Sequence, residues 1–283
     1  MGLPQRREEA DAVLILGGDG TVHRHLAQLV ALNLPVLVVP HGSGNDFARA
    51  LGLGSWRSAL TAWRKFARGG GSLRTIDLGV ISPLPASEAG TGEPTRTAAY
   101  ESEIRQRSSS PGASHFFCCV GGVGLDAEVA RRANQIPRWV RGHGGYALSL
   151  LPAICQFTPL QMEISVWGSE GTMGTRSCEP TVLAAFANAP AYGGGMKIAP
   201  RARLDDGKLD ICLVRGVNRL KLFCLFPTIY FGRHLKVSGI EYFQIERLRL
   251  ETDKPQDVYA DGEYVCRTPI EVSVTRAALR VIT

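Results

Sequence analysis

The sequence lacks a hydrophobic run that could cross a membrane. Its longest uncharged apolar run, residues 222–232, is well short of the ~18 residues that a spanning helix needs. The first ten residues carry two arginines followed by two glutamates, with no apolar stretch like that of a signal peptide. These absences predict a cytoplasmic protein with no transmembrane segment.

Paired cysteines and basic runs are also missing. The seven cysteines form no Cys-x-x-Cys pair, and most lie in apolar runs such as residues 116–120, so we expect buried, reduced thiols. No run of lysines and arginines is interleaved with aromatic residues, and nothing indicates a nucleic-acid partner. The net charge of +6 suits an anionic nucleotide or a negatively charged membrane leaflet, and equally an ordinary solvated surface.

Strands and helices alternate in the first part of the chain. A chain of 283 residues that is 45% hydrophobic can bury a sizeable core and divide into two lobes. Residues 11–16 and 35–40 have the pattern of buried strands, and each is followed by a glycine-rich turn and a helix. The core stripe of the first helix consists of Val22, Leu26, Leu29 and Val30. This order predicts an α/β lobe with a parallel sheet over residues 1–81.

The composition changes after residue 81. Residues 82–114 are rich in Pro, Gly, Ser, Thr and Glu, which is typical of a low-complexity insertion. Short strands then predict a β-rich sandwich lobe over residues 115–270, with a last strand at 271–283 that returns to the first lobe. We predict strands near 116–121, 160–167, 181–188, 208–214, 240–244, 247–251, 257–261, 269–275 and 279–283, and helices at 46–51, 124–134, 143–153 and 219–230.

The turn after the first strand has the features of an anion site. Its sequence is Gly17-Gly18-Asp19-Gly20-Thr21. Glycines let backbone N–H groups approach phosphate oxygens without obstruction by a Cβ, and the following helix N-terminus adds partial positive charge. An aspartate among phosphates is unfavourable unless it holds Mg²⁺, orders water or contacts a hydroxyl. Asp19 is therefore either a functional carboxylate or a turn-forming residue beside glycine.

A second glycine-rich turn, residues 41–46, follows the second strand. The two turns are expected side by side, because ligands bind at the carboxyl ends of the strands in open α/β sheets. Ser43 can donate a hydrogen bond to a phosphate, and Asn45 can pair with polar edges of a ligand. Asp46 can cap the helix behind it. Asn45 and Asp46 are also compatible with ordinary turn and cap positions.

These motifs resemble those of a known family. Gly-Gly-Asp-Gly-Thr followed by Pro-x-Gly-Ser-Gly-Asn-Asp-Phe-Ala-Arg is similar to the catalytic domain of diacylglycerol and sphingosine kinases, above all the soluble bacterial branch. The resemblance continues through residues 76–79, 121–126, 188–214 and 261–263. NAD kinases and 6-phosphofructokinases share the first motif alone. The resemblance implies an NAD kinase-like α/β lobe, a β-sandwich lobe, and transfer of a phosphoryl group from ATP to a lipid hydroxyl.

The resemblance also implies roles for single residues. The expected ATP contacts are Gly17, Gly18, Asp19, Gly20, Thr21, Val22, His23, Ser43, Asn45 and Asp46. Asp19 would serve the metal or activate the acceptor. The expected ligands of a structural Mg²⁺ are the Asp206 carboxylate and the main-chain carbonyls of Arg203 and Lys208, which suits a cation that prefers oxygen. From the residues alone, Asp-Asp-Gly before a strand is equally typical of a turn.

The last motif, Asp261-Gly262-Glu263, would supply the general base. Phosphoryl transfer needs alignment, charge neutralisation and a carboxylate that accepts the hydroxyl proton. If both carboxylates lie on one strand, two residues apart, they point to the same face. Either can be the base, with a preference for Glu263. An Asp-Gly hairpin turn is the competing interpretation.

The lipid acceptor is expected at the membrane surface. Residues 220–234 are dense in large apolar groups, and Lys221, Arg233 and Lys236 flank them. An interfacial segment that dips into a bilayer has this composition, and so does a helix packed between two lobes. A peripheral membrane location and a homodimer are both compatible with this sequence.

One part of the family pattern is absent from these residues. Relatives begin with a strand that carries an Asn-Pro and glycine motif, then a helix and a strand, and we expect weaker nucleotide binding without that unit. Two other functions stay open. They are a catalytically silent protein that binds nucleotide or lipid, and an NAD kinase, against which the second turn argues.

Overall fold

Short strands outnumber helices in the described part of the chain. The computed structural model describes residues 2–85, 113–135, 152–167, 173–177 and 179–283. The strands are β1 (Val13–Gly17), β2 (Val36–Pro40), β3 (Leu73–Pro83), β4 (His115–Phe117), β5 (Val120–Gly124), β6 (Leu160–Trp167), β7 (Met173–Ser177), β8 (Pro180–Ala187), β9 (Leu209–Arg215), β10 (Ile240–Ile245), β11 (Arg247–Thr252), β12 (Asp257–Ala260), β13 (Glu263–Arg267) and β14 (Ile270–Ile282). The α-helices are α1 (Asp19–Leu32), α2 (Asp46–Ala50), α3 (Trp56–Ala67), α4 (Leu125–Gln135) and α5 (Arg219–Tyr230).

The first lobe is built on a short parallel sheet. β1 pairs with β2 from Val13↔Val36 to Gly17↔Pro40, and β2 also pairs in parallel with β14 at Val281. Helix α1 covers this sheet with its apolar stripe, which is buried at Val22, Leu26, Leu29 and Leu32. The helix ends where Asn33 takes the left-handed conformation, at φ 50°, and donates its N–H to the last free carbonyls.

The second lobe is antiparallel and sandwich-like. The path of paired strands runs β1-β2-β14-β11-β6-β8-β5-β12-β13, and β3, β4, β7, β9 and β10 branch from it. Its core lies between the strands and contains Phe117 and Phe186, whose ring centroids are 5.8 Å apart. The predicted fold class, an α/β lobe followed by a β-rich sandwich lobe, is confirmed.

Strand β14 joins the two parts of the fold. It pairs antiparallel with β3 from Ile270↔Pro83 to Ile282↔Leu73. Two separate strands at 269–275 and 279–283 were expected, and that prediction is wrong. Ala277 lies at φ 52°, so the strand kinks between Thr275 and Leu279 and then resumes the same pairing.

Other predicted boundaries need smaller corrections. The strand expected at 116–121 is two strands, β4 and β5, and the sequence reading missed helix α3. Helices 124–134 and 219–230 correspond to α4 and α5. Of the helix expected at 143–153, residues 143–151 lie outside the described residues, whereas residues 152–156 are helical. Most of the predicted insertion, residues 86–112, also lies outside them.

Strand β1 presents an apolar face at one end of the strand order. Leu14 and Leu16 are 50% and 67% exposed, whereas Val13 and Ile15 on the other face are buried. This alternation follows from the two-residue period of a strand. No helix in the described part of the chain is long and apolar enough to cross a membrane.

The Asp77 carboxylate connects two irregular segments of the chain to strand β3. It lies on β3 and is buried, and it accepts the N–H of Gly207 at 2.7 Å and the N–H of Ala277 at 2.8 Å. Gly207 and Ala277 both have positive φ, so their N–H groups do not follow a regular ladder. Asp77 therefore ties the 203–208 turn and the kink of β14 to β3.

We expect Asp77→Ala to lower the free energy of unfolding by about 1–3 kcal/mol for each N–H that loses its acceptor while buried. Denaturant unfolding followed by circular dichroism measures this loss. Asp257→Ala is the matched control, because it removes one carboxylate of an exposed ion pair with Arg267 and should cost no more than about 1 kcal/mol. Equal losses in the two variants would contradict the role given to Asp77.

Candidate active site

The two glycine-rich turns meet at the carboxyl ends of β1 and β2. His41 donates its N–H to the Gly17 carbonyl at 3.0 Å, which pins the second turn to the first. A Cβ on Gly18 would lie 2.9 Å from the Cα of Gly42, and one on Gly42 would lie 2.5 Å from the Cα of Gly18. Any side chain at either position would separate the turns, so both positions require glycine. The sequence prediction that these turns lie side by side agrees with this geometry.

Asp19 begins α1 and joins it to α2. Its carboxylate oxygens accept the N–H groups of Asp46 and Phe47, each at 3.0 Å. Burial raises the pKa of Asp19 to about 6, although the two N–H groups act in the opposite direction. Near neutral pH this carboxylate is therefore close to its titration point.

The second turn is shaped by Asn45 and Asp46. Asn45 takes the left-handed conformation, at φ 58°, and its side chain bonds both the N–H and the carbonyl of Gly42. The buried Asp46 carboxylate accepts a hydrogen bond from Arg49 at 2.5 Å and one from the N–H of Gly194 at 2.7 Å. Gly194 belongs to the second lobe, so Asp46 links the turn to that lobe.

Asp261 lies in the turn between β12 and β13, not on a strand. The expectation that Asp261 and Glu263 share one face of a strand is wrong, because Asp261 and Gly262 have φ of 52° and 85° and form the hairpin turn. The competing hairpin interpretation describes the backbone correctly. The Asp261 side chain nevertheless points inward and is 0% exposed.

Backbone N–H groups, the Cys118 thiol and His23 surround the Asp261 carboxylate. It accepts the N–H groups of Cys118 at 2.9 Å, Cys119 at 2.8 Å and Val120 at 3.3 Å, and it contacts Nδ1 of His23 at 3.1 Å. Burial alone would raise the pKa of Asp261, but His23 and the backbone N–H groups outweigh it and lower the pKa below the ordinary value. Its oxygens are engaged, so this carboxylate is suited to holding the site together.

Glu263 has the opposite environment. It begins β13 and is exposed, and it makes no hydrogen bond or ion pair with another described residue. A Cβ on Gly20 would lie 2.7 Å from its Oε1. The Glu263 carboxylate therefore lies against the first turn of α1, where a small residue leaves room for it.

The remaining predicted nucleotide residues divide between the surface and the core. Ser43 is exposed at the second turn, and Thr21 is half-buried beside Gly17. Val22 is 1% exposed and belongs to the core, and its N–H donates to the Gly18 carbonyl. Val22 therefore faces away from the turns. His23 lies near them but is held by Asp261.

The predicted metal segment forms a separate turn. Oδ1 of Asp206 accepts the N–H of Lys208 at 3.1 Å, and Gln244 bridges Asp206 and Asp210 with contacts of 3.2 Å to each. Asp210 is buried beside Tyr242, and burial raises its pKa although hydrogen bonds from Tyr242 and Gln244 act in the opposite direction. Arg203 and Lys208 are exposed at the same turn. The sequence analysis did not single out Asp210, which adds a second carboxylate beside Asp206.

A second cluster of potential ligand atoms lies around Asp261. Sγ of Cys118, Sγ of Cys119 and a carboxylate oxygen of Asp261 lie within 4.8 Å of one another. Contact with Cys118 lowers the pKa of Cys119, but burial and Asp261 raise it to about 12. Protonated thiols are poor metal ligands. The expectation of buried thiols also holds for Cys212, whereas Cys155 and Cys224 are exposed.

An apolar cavity lies in the second lobe. It lies between α4, α5 and strands of the second lobe, and its volume is about 50 Å³. Its polar lining consists of Asp126, Tyr192 and His234 among largely aliphatic and aromatic groups. The Tyr192 hydroxyl donates to the Asp126 carboxylate, and Gly194, two residues later, reaches Asp46. The 192–196 segment therefore connects the cavity to the second turn.

Tyr192, Gly194 and Asp126 were not predicted as site residues. They lie in stretches that resemble the family, at 121–126 and 188–214, and that resemblance was the signal that could have identified them. Their contacts span long sequence distances, since Gly194 and Asp46 are 148 residues apart. No local spacing encodes such a pair.

Comparisons with known proteins agree with this geometry. Residues 4–81 match the family described as "Diacylglycerol kinase catalytic domain", and residues 120–283 match "YegS C-terminal NAD kinase beta sandwich-like domain". A diacylglycerol kinase of Mycobacterium tuberculosis (strain H37Rv) is 32% identical over 272 residues, which cover 96% of this chain and 76% of that protein. A diacylglycerol kinase of Bacillus subtilis (strain 168) is 24% identical, over 90% of this chain and 72% of the relative.

A solved structure shares the fold. The crystal structure of a diacylglycerol kinase from Bacillus anthracis str. Sterne superimposes with a TM-score of 0.62 at 18% identity, over 98% of this chain and 77% of that one. The second-lobe family match covers more than half of the chain, and the 32% identity extends over nearly all of it. This protein therefore belongs to the diacylglycerol kinase family of lipid kinases.

Proposed function

We propose that this chain transfers the γ-phosphoryl group of ATP to the hydroxyl of a membrane lipid such as diacylglycerol. The observation that carries the proposal is the junction at residues 192–196. There the contacts of Tyr192 and Gly194 link an apolar cavity of the second lobe to the second glycine-rich turn. A kinase that acts on a lipid needs a phosphate site and an apolar acceptor site within reach of each other.

The turns are the proposed nucleotide site. The two turns approach each other closely at Gly18 and Gly42, and α1 begins at Asp19 beside them; a helix N-terminus of this kind favours an anion. Ser43 is exposed there and can donate its hydroxyl to a phosphate. Asp19 is proposed to hold the metal of the nucleotide or to orient the acceptor hydroxyl.

Glu263 is the proposed general base, and Asp261 positions it. Glu263 is exposed, unpaired with any described residue and adjacent to Gly20, whereas the Asp261 oxygens are engaged. In the proposed step, Glu263 accepts the proton of the lipid hydroxyl as the oxygen bonds to the γ-phosphorus. The bond from that phosphorus to the bridging oxygen breaks, and ADP leaves with the electron pair.

The 203–210 turn is a suitable place for Mg²⁺. The buried Asp210 carboxylate and the Asp206 carboxylate lie next to each other there, bridged by Gln244. Hard cations take carboxylate and carbonyl oxygens, so Asp206 and Asp210 would hold the ion, with main-chain carbonyls of Arg203 and Lys208. The turn is tied to β3 through Asp77, and the ion would supply structural stabilisation.

The direct test is an ATP-turnover assay with purified protein and a panel of lipids. Diacylglycerol, sphingosine and phosphatidylglycerol in mixed micelles separate the candidate acceptors, and phosphorylated lipid is the product measured. We expect transfer to one of these lipids at the cytoplasmic membrane face. Binding of ATP and lipid without any phosphorylated product would indicate a catalytically silent binding protein instead.

We expect Asp19→Asn to keep the fold and to reduce lipid phosphorylation by orders of magnitude, because charge placement carries phosphoryl transfer.

A carboxyl-carbon NMR titration of the ligand-free protein should place the pKa of Asp19 at about 6. The raised pKa means that folding disfavours the charged form. The stability cost of that charge is therefore absent below pH ~4 and fully present above pH ~6. Asp19→Asn removes this cost but can accept only one of the two α2 N–H groups, so we expect the gain to be offset by a loss of about 1–3 kcal/mol.

Asp261→Asn and Glu263→Gln should fail in different ways. Asp261→Asn places an amide against buried N–H groups, so we expect a loss of about 2–4 kcal/mol in stability. The stability from the ionised carboxylate is present above pH ~4 and is lost as pH falls through the lowered pKa of Asp261.

Glu263→Gln should leave the unfolding midpoint unchanged and ATP binding intact, but reduce turnover about 10²–10⁴-fold. Wild-type turnover in Glu263→Gln would remove Glu263 from the mechanism.

Mg²⁺ without nucleotide should raise the melting temperature of the wild-type protein, because an ion that binds only the folded state stabilises it. We expect this rise to disappear in Asp210→Asn, and the readout is thermal unfolding across a Mg²⁺ titration. Asp253→Asn, which changes an exposed carboxylate elsewhere, is the control and should keep the rise. A full rise in Asp210→Asn would place the ion somewhere else.

A further inference from the structure

Helix α5 exposes a large apolar face. Leu220 and Phe223 are 74% and 51% exposed, and Phe231, just past the end of the helix, is 72% exposed. Cys224 and Pro227 are exposed between them. Within the helix, these exposed residues are spaced three or four positions apart. Their side chains therefore form one continuous stripe. We refer to this stripe, from Leu220 to Phe231, as the outer face of α5.

The opposite face of the same helix lines the apolar cavity. Leu222, Leu225, Phe226 and Ile229 all contribute to its wall. Helix α5 is therefore apolar on both sides, although only one side is covered by the rest of the described chain. Helices that are apolar all round are normally surrounded by protein or lipid, and an exposed apolar stripe of this kind marks an interaction surface.

The charges around α5 favour an anionic partner. Residues 211–240 contain five lysines and arginines and no aspartate or glutamate. Arg215 is paired with Glu241, and Lys221 donates to the Ser238 carbonyl. Arg219, Arg233 and Lys236 are exposed and form no ion pair with another described residue. An apolar stripe bordered by exposed cations complements the headgroups and acyl chains of an anionic bilayer.

We infer that the outer face of α5 docks the protein on a membrane rich in anionic phospholipids. This inference rests on the proposed function, since a lipid acceptor must leave the bilayer close to the cavity. With α5 lying in the interface, Leu220, Phe223 and Phe231 insert between the headgroups while Arg219, Arg233 and Lys236 contact phosphates. The cavity wall then lies one helix thickness from the bilayer, which shortens the path of the acceptor.

A second copy of the chain fits this face less well. A symmetric dimer through α5 would bring two copies of the same basic cluster together, and like charges at an interface oppose association. The bilayer satisfies the apolar stripe and the cations at once.

Vesicle co-sedimentation without ATP tests the inference. The 283-residue chain is mixed with vesicles of equal parts phosphatidylcholine and phosphatidylglycerol, or of phosphatidylcholine alone. We expect binding to the mixed vesicles that weakens with salt, and at least tenfold weaker binding for the double variant Leu220→Asp/Phe223→Asp. Arg219→Gln/Arg233→Gln should weaken binding to the mixed vesicles about fivefold for each cation removed.

Trp56→Asp is the matched control, because Trp56 is 58% exposed on α3 and the change is of the same kind. It should bind vesicles like wild type. Wild-type binding by the Leu220/Phe223 variant, or an equal loss in Trp56→Asp, would overturn the inference. So would sedimentation that shows a wild-type dimer and a monomeric double variant, because α5 would then join two copies.

A water-soluble short-chain diacylglycerol separates docking from catalysis. The double variant should phosphorylate it at the wild-type rate but lose activity on vesicles that contain long-chain diacylglycerol. If wild type binds vesicles yet phosphorylates neither substrate, docking stands and the proposed function fails. If wild type phosphorylates both substrates without binding anionic vesicles, the function stands and the docking surface is wrong.

Discussion

The buried carboxylate of Asp261 is the interaction on which the candidate site depends. Between β4 and β5 the N–H groups of Cys118, Cys119 and Val120 turn toward one point, and Asp261 accepts all three. Its contact with His23 adds helix α1 of the first lobe to the same point. A buried ionised group is tolerated only when it is fully hydrogen-bonded, so this turn has one stable position. That position places Glu263, two residues later, against the start of α1.

The sequence was sufficient for the parts of the fold that local chemistry determines. β1, β2, α1 and the two glycine-rich turns follow from apolar periodicity and from glycines that permit close backbone approach. The inward turn of Asp261 does not follow in this way, because its hydrogen-bond donors lie about 140 residues earlier in the chain. The same holds for the kink at Ala277, since its N–H is accepted by Asp77, 200 residues away. Pairs of this kind are set by tertiary packing, which a single sequence does not display.

The amino-acid composition of α5 fits two structural interpretations at once. An interfacial helix and a helix packed against a core both require large apolar residues, and residues 219–230 meet both requirements. The structure assigns the two roles to different faces: Phe226 and Ile229 line the cavity, and Leu220 and Phe223 are exposed. Periodicity could not separate them, because an apolar residue occurs at nearly every position and no polar stripe marks the outside.

Strand β14 is the last of the described strands to be synthesised, and this affects the order in which the protein folds. Val281 is the residue through which β14 meets β2, and β3 pairs with the same strand along its length. At translation rates of about 5–20 residues per second, roughly ten to forty seconds separate the emergence of β3 from that of Val281. During this interval the N-terminal lobe has all of its own residues and still presents an unpaired strand edge. Such an edge invites pairing with other chains. Until Val281 emerges, the edge of β2 that β14 covers in the folded protein is therefore open to another strand.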